Sequence, residues 1–270
     1  MTTTTTTSTE TAVAPRPGTT RGFLTLVERE LLRVLKIWTQ TIATPVLTGI
    51  LYFAVFGVAV GQRIGSVGDF DYVTFIVPGV VLMQVATQAY ANNSSSIFQA
   101  KIDGYLEDVL SAPMHAWQVA LAVLLGGVLR SLLVGGLVLV GASFIADVPV
   151  AHPLEAVVLL VAVAVLWASI GVIAGIYAQT FDQHTLISNL LITPLIFVGG
   201  VFYSIEMLPS HLQLFTRLDP LFYQVNGLRH AFLGTSDASF AAALGSTVAL
   251  AAIAFGVLVW LFQTGRRLKG

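Results

Sequence analysis

Lysine and histidine are the residues here that could bind phosphate or metal, and their placement argues against both roles. None of the three lysines lies in a G-K-[ST] phosphate loop, and neither H-E-x-x-H nor G-x-S-x-G occurs. No two of the five histidines have the spacing of ligands on one helix face, and the chain has no cysteine. The sequence therefore predicts a chain that holds no cofactor and cannot hydrolyse ATP by itself.

Amide side chains recur about every four residues along one apolar stretch, at Gln84, Gln88, Asn92 and Asn93. That spacing places them on one face of a helix. A polar face on an otherwise apolar helix is typical of a transport pathway lining, and we take Gln84, Gln88 and Asn92 as pathway candidates. Hydrogen bonding between neighbouring helices is the alternative interpretation.

Arg130 is the one basic residue inside an apolar run. Charged residues within a membrane are costly and usually functional, so a contact to an anionic head group or to a carboxylate is one interpretation. The other is an arginine whose head group reaches back to the cytoplasmic interface. It lies roughly 20 Å along its helix, which makes such a reach long.

The elements that must position these residues follow from composition. Of 270 residues, 56% are hydrophobic and only 10% are charged, far below the roughly 25% charged residues of a soluble domain. A net charge of −1 argues against a nucleic-acid partner. An all-α membrane protein in a lipid bilayer is predicted, with six transmembrane helices near 38–61, 72–92, 117–146, 154–179, 186–203 and 240–263.

Basic residues indicate how the spans are oriented. Nine lie in the two terminal regions or in the loop 100–116, and three lie in the opposite loops. The positive-inside rule then places both termini in the cytoplasm. Residues 1–22 are predicted to be a disordered Thr-rich tail, followed by the membrane domain, 23–270. Within it, 23–38 has the pattern of an amphipathic helix lying in the interface, and a cytoplasmic extension of the first predicted span is the alternative.

The cytoplasmic segment from Lys101 to Pro113 is too polar to span and too apolar for a free linker. A short helix is expected there, ending at Pro113. Its face would present Tyr105, Val109 and Ala112 to a groove on a partner protein. A helix lying flat on lipid is the alternative, which the acidic pair Glu107 and Asp108 disfavours.

The region 189–234 predicts a break and then two short helices. Gly199 and Gly200 allow a break near the end of a span. Two helical patterns, each too short to span, flank Asp219-Pro220 and predict a re-entrant hairpin at the outer face; an ordinary outer loop is the alternative. Phe202 and Tyr203 could gate an exit or belong to an interfacial aromatic belt.

In its motifs the chain resembles the ABC-2 type permeases of bacterial drug, polysaccharide and lipid exporters. The similarity extends over nearly the whole chain after about residue 22. The motifs are Phe75-Ile-Val-Pro78-Gly79, Glu107-Asp-Val-Leu-Ser-Ala-Pro113, Thr193-Pro-Leu, Gly199-Gly-Val-Phe-Tyr-Ser204, Asp219-Pro220 and Gly227-Leu-Arg229.

The resemblance implies an exporter subunit of the bacterial plasma membrane that pairs with a second permease subunit, giving a homodimer, and with ABC ATPase subunits that bind ATP and Mg²⁺. Residues 101–113 would be the coupling helix. Re-entrant helices at 209–234, containing Pro220, Gly227 and Arg229, would cap a pathway. A membrane-embedded lipid-modifying enzyme, or a stand-alone channel or scaffold, is the rival prediction.

Overall fold

The computed structural model describes residues 20–265. Most of the predicted N-terminal tail and the basic residues at 266, 267 and 269 lie outside that range. The described chain is helical apart from one short hairpin, as the hydropathy pattern predicts. Its helices are α1 (Thr20–Lys36), α2 (Thr44–Tyr52), α3 (Gly61–Ile64), α4 (Tyr72–Ile102), α5 (Leu106–Ser111), α6 (Ala116–Ser143), α7 (Pro153–Tyr177), α8 (Phe181–Val198), α9 (Ser210–Leu218), α10 (Pro220–Leu233) and α11 (Phe240–Thr264).

Helix α4 is the centre of the bundle, packed by α6 and α7 and contacted by α8, α10 and the first span. Nearly all of its side chains are buried. Close approach depends on glycine at its neighbours: a Cβ on Gly175 of α7 would come 2.6 Å from the Ser94 carbonyl oxygen. A Cβ on Gly79 of α4 would come 2.5 Å from the Val201 carbonyl oxygen. Helix α4 therefore meets α7 backbone to backbone near Ser94 and meets the loop after α8 backbone to backbone near Gly79.

Five described helical stretches are long and apolar enough to cross a membrane, whereas six spans were expected. They are Thr39–Ile64, called here the first span, and α4, α6, α7 and α11. The predicted span at 186–203 corresponds to α8, which is not among the five. Polar side chains such as Asp182, Gln183 and Asn189 lower its apolar character.

Helix α1 forms where an amphipathic helix was expected, and it leaves Leu24, Leu32 and Leu35 exposed, as a lipid-facing stripe would be. Its opposite face packs on α6 and buries Glu30. The sequence pattern gave no indication of that second contact, since α1 was expected to lie against lipid alone.

The two ends of the bundle differ. One end, the α5 end, carries α1 and α5; there Lys101 donates to the carbonyl of Ile176, 3.1 Å away, at the end of α7. The other, the hairpin end, carries α9, α10 and a two-stranded antiparallel hairpin, β1 (Ser66–Val67) and β2 (Phe70–Asp71). A polar loop had been predicted where this hairpin forms.

Candidate functional site

A groove of about 430 Å³ runs between the first span, α4 and α8. No charged side chain is among the described residues that line it. Amides and hydroxyls alternate there with apolar and aromatic groups, which suits an amphipathic molecule. The lining residues are Gln40, Thr44, Pro45, Thr48, Tyr52, Met83, Gln84, Thr87, Gln88, Ile192, Thr193, Ile196, Phe197 and Phe202.

The wall that the first span contributes is shaped by irregular backbone. Two π-helical segments, Thr39–Ala43 and Phe53–Val60, flank α2, and Pro45 follows the first of them. Pro45 has no N–H, so it cannot make the α-helical bond to the Thr41 carbonyl. The Nε of Arg130 on α6 donates to that carbonyl instead, at 2.9 Å. Arg130 thus completes the backbone bonding at the proline.

Arg130 makes two further hydrogen bonds, both to amide oxygens of α4. Its Nη2 donates to Gln88 Oε1 at 2.7 Å, and its Nη1 donates to Asn92 Oδ1 at 3.1 Å. Neither interpretation of Arg130 from the sequence named these partners. One expected an anionic group and the other expected the cytoplasmic interface, whereas the observed acceptors are neutral. Its role in the structure is to join the first span, α4 and α6.

Behind the groove lies a group of charged residues that the sequence did not single out. Arg33 of α1 donates to the same Asn92 Oδ1 at 3.1 Å and lies 3.4 Å from Glu30 Oε2. Glu30, only 2% exposed, also accepts a hydrogen bond from Ser96 Oγ of α4 at 2.9 Å. A carboxylate can be buried at this depth because it is paired and hydrogen-bonded. Helix α1 is therefore held to α4 by hydrogen bonds between its charged side chains and neutral groups of α4.

Aromatic side chains close the groove at the hairpin end. The rings of Phe56 and Phe202 stack with centroids 4.5 Å apart, and Tyr52 lies 5.7 Å from Phe202. The hydroxyl of Tyr72 donates to the Phe202 carbonyl at 2.9 Å and so fixes the loop that carries this ring. An amphipathic molecule leaving the groove at this end would have to displace these rings.

The pathway candidates separate into three groups. Gln84, Gln88 and Phe202 line the groove. Asn92 and Arg130 lie behind it in the hydrogen-bond network. The remaining three lie at the loop that ends α8 and are not among the described groove-lining residues; they are Gly199, Gly200 and Tyr203.

Those three residues shape the loop instead. A Cβ on Gly199 would come 2.8 Å from the Leu221 side chain of α10, and Gly200 has a φ of +76°. The Tyr203 hydroxyl donates to the Val198 carbonyl at 2.7 Å. This last bond satisfies a carbonyl at the end of the helix.

The short helices at the hairpin end are fixed by an arginine and an aspartate. Arg229, 2% exposed, donates to the carbonyls of Gly200 and Tyr203 at 2.7 and 3.3 Å, and its guanidinium lies 4.0 Å from the centroid of the Phe75 ring. Asp219 caps α10, where Pro220 is the first residue, by accepting from the Leu221 N–H at 2.8 Å. Burial raises the pKa of Asp219 to about 6, against the smaller opposing effect of that hydrogen bond.

Gly227 is the packing residue of α10. A Cβ there would come 2.6 Å from Ala243 of α11 and 2.8 Å from Leu159 of α7. Three helices therefore meet at this position, which only glycine fits without displacement.

The predicted coupling segment contains a short helix, α5. Val109 and Tyr105 pack on this chain's own core, and the Arg29 guanidinium of α1 lies 5.0 Å from the Tyr105 ring centroid. Glu107 and Asp108 are exposed. Tyr105 and Val109 are half-buried, with α1 beside Tyr105, and the docking face expected for this segment stays a prediction. Ala112 and Pro113 are half-buried beyond the helix.

Comparison with known proteins places these features in context. The family model described as "ABC-2 type transporter" matches residues 21–233. The inner membrane transport permease YadH of Escherichia coli K12 is 39% identical over 242 residues, 89% of this chain and 94% of the relative. Nodulation protein J of Rhizobium leguminosarum bv. trifolii is 23% identical over 187 residues, 68% of this chain and 71% of the relative.

Proposed function

The chain belongs to the ABC-2 type transporter family, and we propose that it exports an amphipathic, drug-like or lipid-linked substrate outward. Membership itself implies a multi-pass subunit of an ABC transporter in a bacterial plasma membrane, working with an ABC ATPase. The direction of transport and the substrate class belong to the proposal. The observation that carries it is the groove along α4, which combines uncharged polar groups with apolar ones.

We assign the α5 end to the cytoplasm and the hairpin end to the outside, with both termini cytoplasmic. The positive-inside rule supports this assignment. Arg21, Arg29, Arg33 and Lys36 of α1 lie at the α5 end together with Lys101. The assignment directs the aromatic rings that close the groove toward the exit.

In this proposal α8 is the sixth crossing. It begins at the level of Ser94, whose hydroxyl lies 2.8 Å from His184 Nε2, and ends beside α10 near Gly199. Its 18 residues extend about 27 Å, close to the roughly 30 Å hydrocarbon thickness. Its polar residues would be tolerated because one side faces the groove. The pair of short helices α9 and α10 would then enter the membrane from outside without crossing it.

Two copies of this chain would form the transport unit. The first span exposes Leu47, Leu51 and Val55, four residues apart, beside the open side of the groove. Such an apolar stripe suits either lipid or a second copy. Pairing along the first span would bring two grooves toward one another, and an interior pathway would result.

Coupling to the ATPase would pass through α5. Glu107 and Asp108 are exposed there, and α5 follows α4 after a turn at Gly104, which has a φ of +79°. Movement imposed on α5 would therefore reach α4 directly, and through Tyr105 and Arg29 it would also reach α1.

The test is transport in everted membrane vesicles that contain the chain and its ATPase, with a fluorescent amphiphile as probe. We expect accumulation with ATP and none with a non-hydrolysable analogue. The double variant Glu107→Ala, Asp108→Ala should lower ATP-dependent accumulation at least about tenfold, since two exposed charges at a protein contact are removed.

The matched control is Asp69→Ala, an exposed carboxylate at the opposite end, which should transport normally. Flux without ATP would indicate a channel, and lipid turnover by the purified chain would indicate an enzyme; either result would contradict the proposal. Normal transport by the double variant would overturn the coupling role of α5.

A further inference from the structure

Gln84 and Gln88 lie one helical turn apart on α4, and both line the groove. Each side-chain amide uses one half, either its oxygen or its NH₂ group, in a hydrogen bond within the protein. The half that is left differs between the two residues, and this difference determines what the groove can bind.

The orientation of both amides is fixed by their partners. A guanidinium can only donate, so the Gln88 atom 2.7 Å from Arg130 Nη2 is its oxygen. The NH₂ group of Gln88 is the half that remains. A carbonyl can only accept, so the Gln84 atom 3.2 Å from the Pro45 oxygen is its nitrogen. The oxygen of Gln84 is therefore the half that remains.

Both residues line the groove, and among the described residues neither remaining atom has a hydrogen-bond partner. The enclosed side-chain polar atoms that lack a partner belong to other residues. On α4 the two amides thus offer one donor, Gln88 Nε2, and one acceptor, Gln84 Oε1, about one turn apart, in a groove that also carries the Gln40 amide and threonine hydroxyls.

We infer that this amide pair selects an uncharged head group that both donates and accepts, namely a hydroxyl or a secondary amide, on the amphipathic substrate. The inference rests on the proposed function, since it specifies the substrate class of the same groove. A phosphate or carboxylate can only accept and would face the Gln84 oxygen. An ammonium can only donate and would face the Gln88 NH₂.

Charge gives a second, independent reason. No described lining residue carries charge, so a charged head group would lose its hydration without an ion partner. Arg130 is not among the described lining residues, and three of its five N–H groups are bonded to Thr41, Gln88 and Asn92. Its positive charge behind Gln88 also disfavours an ammonium.

The binding test uses three probes with the same decyl tail and different head groups: a secondary amide, a phosphate and a primary ammonium. Binding is measured to the full chain in nanodiscs, in excess of binding to protein-free nanodiscs. We expect the amide probe to bind the unmodified chain about tenfold more tightly than either charged probe, the worth of one or two hydrogen bonds.

Gln88→Glu is the decisive variant, because it keeps the shape and the Arg130 contact but turns the free donor into an acceptor. The amide probe should bind about tenfold more weakly and the ammonium probe more tightly. Gln99→Glu is the matched control, the same change at an exposed position of the same helix, and should leave the order of the probes unchanged. Gln88→Met, which adds no charge, should weaken the amide probe without favouring ammonium, and it serves if the glutamate variant does not fold.

Equal binding of the three probes to the unmodified chain would overturn the inference, as would an unchanged probe order in both Gln88 variants. Measuring transport of the same probes in the vesicle assay distinguishes a failure of this inference from a failure of the proposed function. Transport without discrimination would overturn the selection and leave export standing. Selective binding without ATP-driven transport would uphold the selection and contradict export.

Discussion

Two arginines, Arg229 buried and Arg130 half-buried, hold the two ends of this molecule, and their partners differ in kind. Arg229 at the hairpin end donates to the main-chain carbonyls of a single loop. Arg130, nearer the α5 end, donates to one main-chain carbonyl and to two amide side chains on another helix. Hydrogen bonds to main-chain acceptors fix a loop in one conformation, whereas an amide side chain can change its rotamer and release its partner. We therefore expect Arg229 to matter most for the stability of the fold and Arg130 to matter most for transport.

The largest effect on stability should come from Arg229→Met. The Gly200 and Tyr203 carbonyls would lose a buried charged donor, and we expect a loss of about 3 kcal/mol in the free energy of unfolding. Thermal unfolding in detergent would measure it. Arg229→Lys keeps the charge and should recover part of the loss. A Met variant as stable as the parent would contradict the fold-maintaining role that we assign to Arg229.

Arg130→Met should cost less stability, about 1 to 2 kcal/mol, because the amides that it releases can rotate toward other partners. Its effect on transport should be the larger one, since Gln88 loses the partner that orients it. ATP-dependent accumulation in vesicles and thermal unfolding, measured on one preparation, would separate the two effects. A loss of stability as large as that of Arg229→Met, with transport retained, would reverse our assignment of roles.

Asp219→Asn should have the smallest effect, visible mainly in its pH dependence. The carboxyl has a pKa of about 6 in the folded chain, above its usual value of 3.8, so folding favours the protonated form. The stabilisation is therefore present below about pH 4 and is lost as the pH rises through about 6. Asparagine keeps an oxygen for the Leu221 N–H and cannot ionise.

Thermal unfolding between pH 4 and 8 would test this prediction. The parent should lose the contribution of Asp219 between about pH 4 and pH 6, and that contribution should stay lost up to pH 8. The variant should lose less. Identical pH profiles of parent and variant would show that Asp219 does not titrate in this range.

Periodicity predicted what depends on local sequence. The four-residue spacing of Gln84 and Gln88 identified a polar helix face, and both residues line the groove. Hydropathy located the five helices that could cross a membrane. The hairpin at 66–71 was missed, although Gly68-Asp69 between Val67 and Phe70 is a two-residue turn signal.

The partners of the charged residues could not be predicted in the same way. Arg130 and Thr41 are 89 residues apart, and Glu30 and Ser96 are 66 apart, so no local pattern connects them. Pro45 was the one available signal, because it leaves a carbonyl that needs a donor. The contact of Arg29 with Tyr105 of α5 was missed for a similar reason, since it joins two segments that only the fold brings together.

The chain has no cysteine, so a single one can be placed and labelled without background. We would introduce Thr193→Cys on the groove wall and, as a control, Phe144→Cys, which is highly exposed and not among the described groove-lining residues. Each variant would be assembled with the ATPase and treated with a bulky maleimide before ATP-dependent transport is measured. Our account predicts that the label at Thr193→Cys stops transport and that the label at Phe144→Cys does not. Undiminished transport with the groove fully labelled would contradict it.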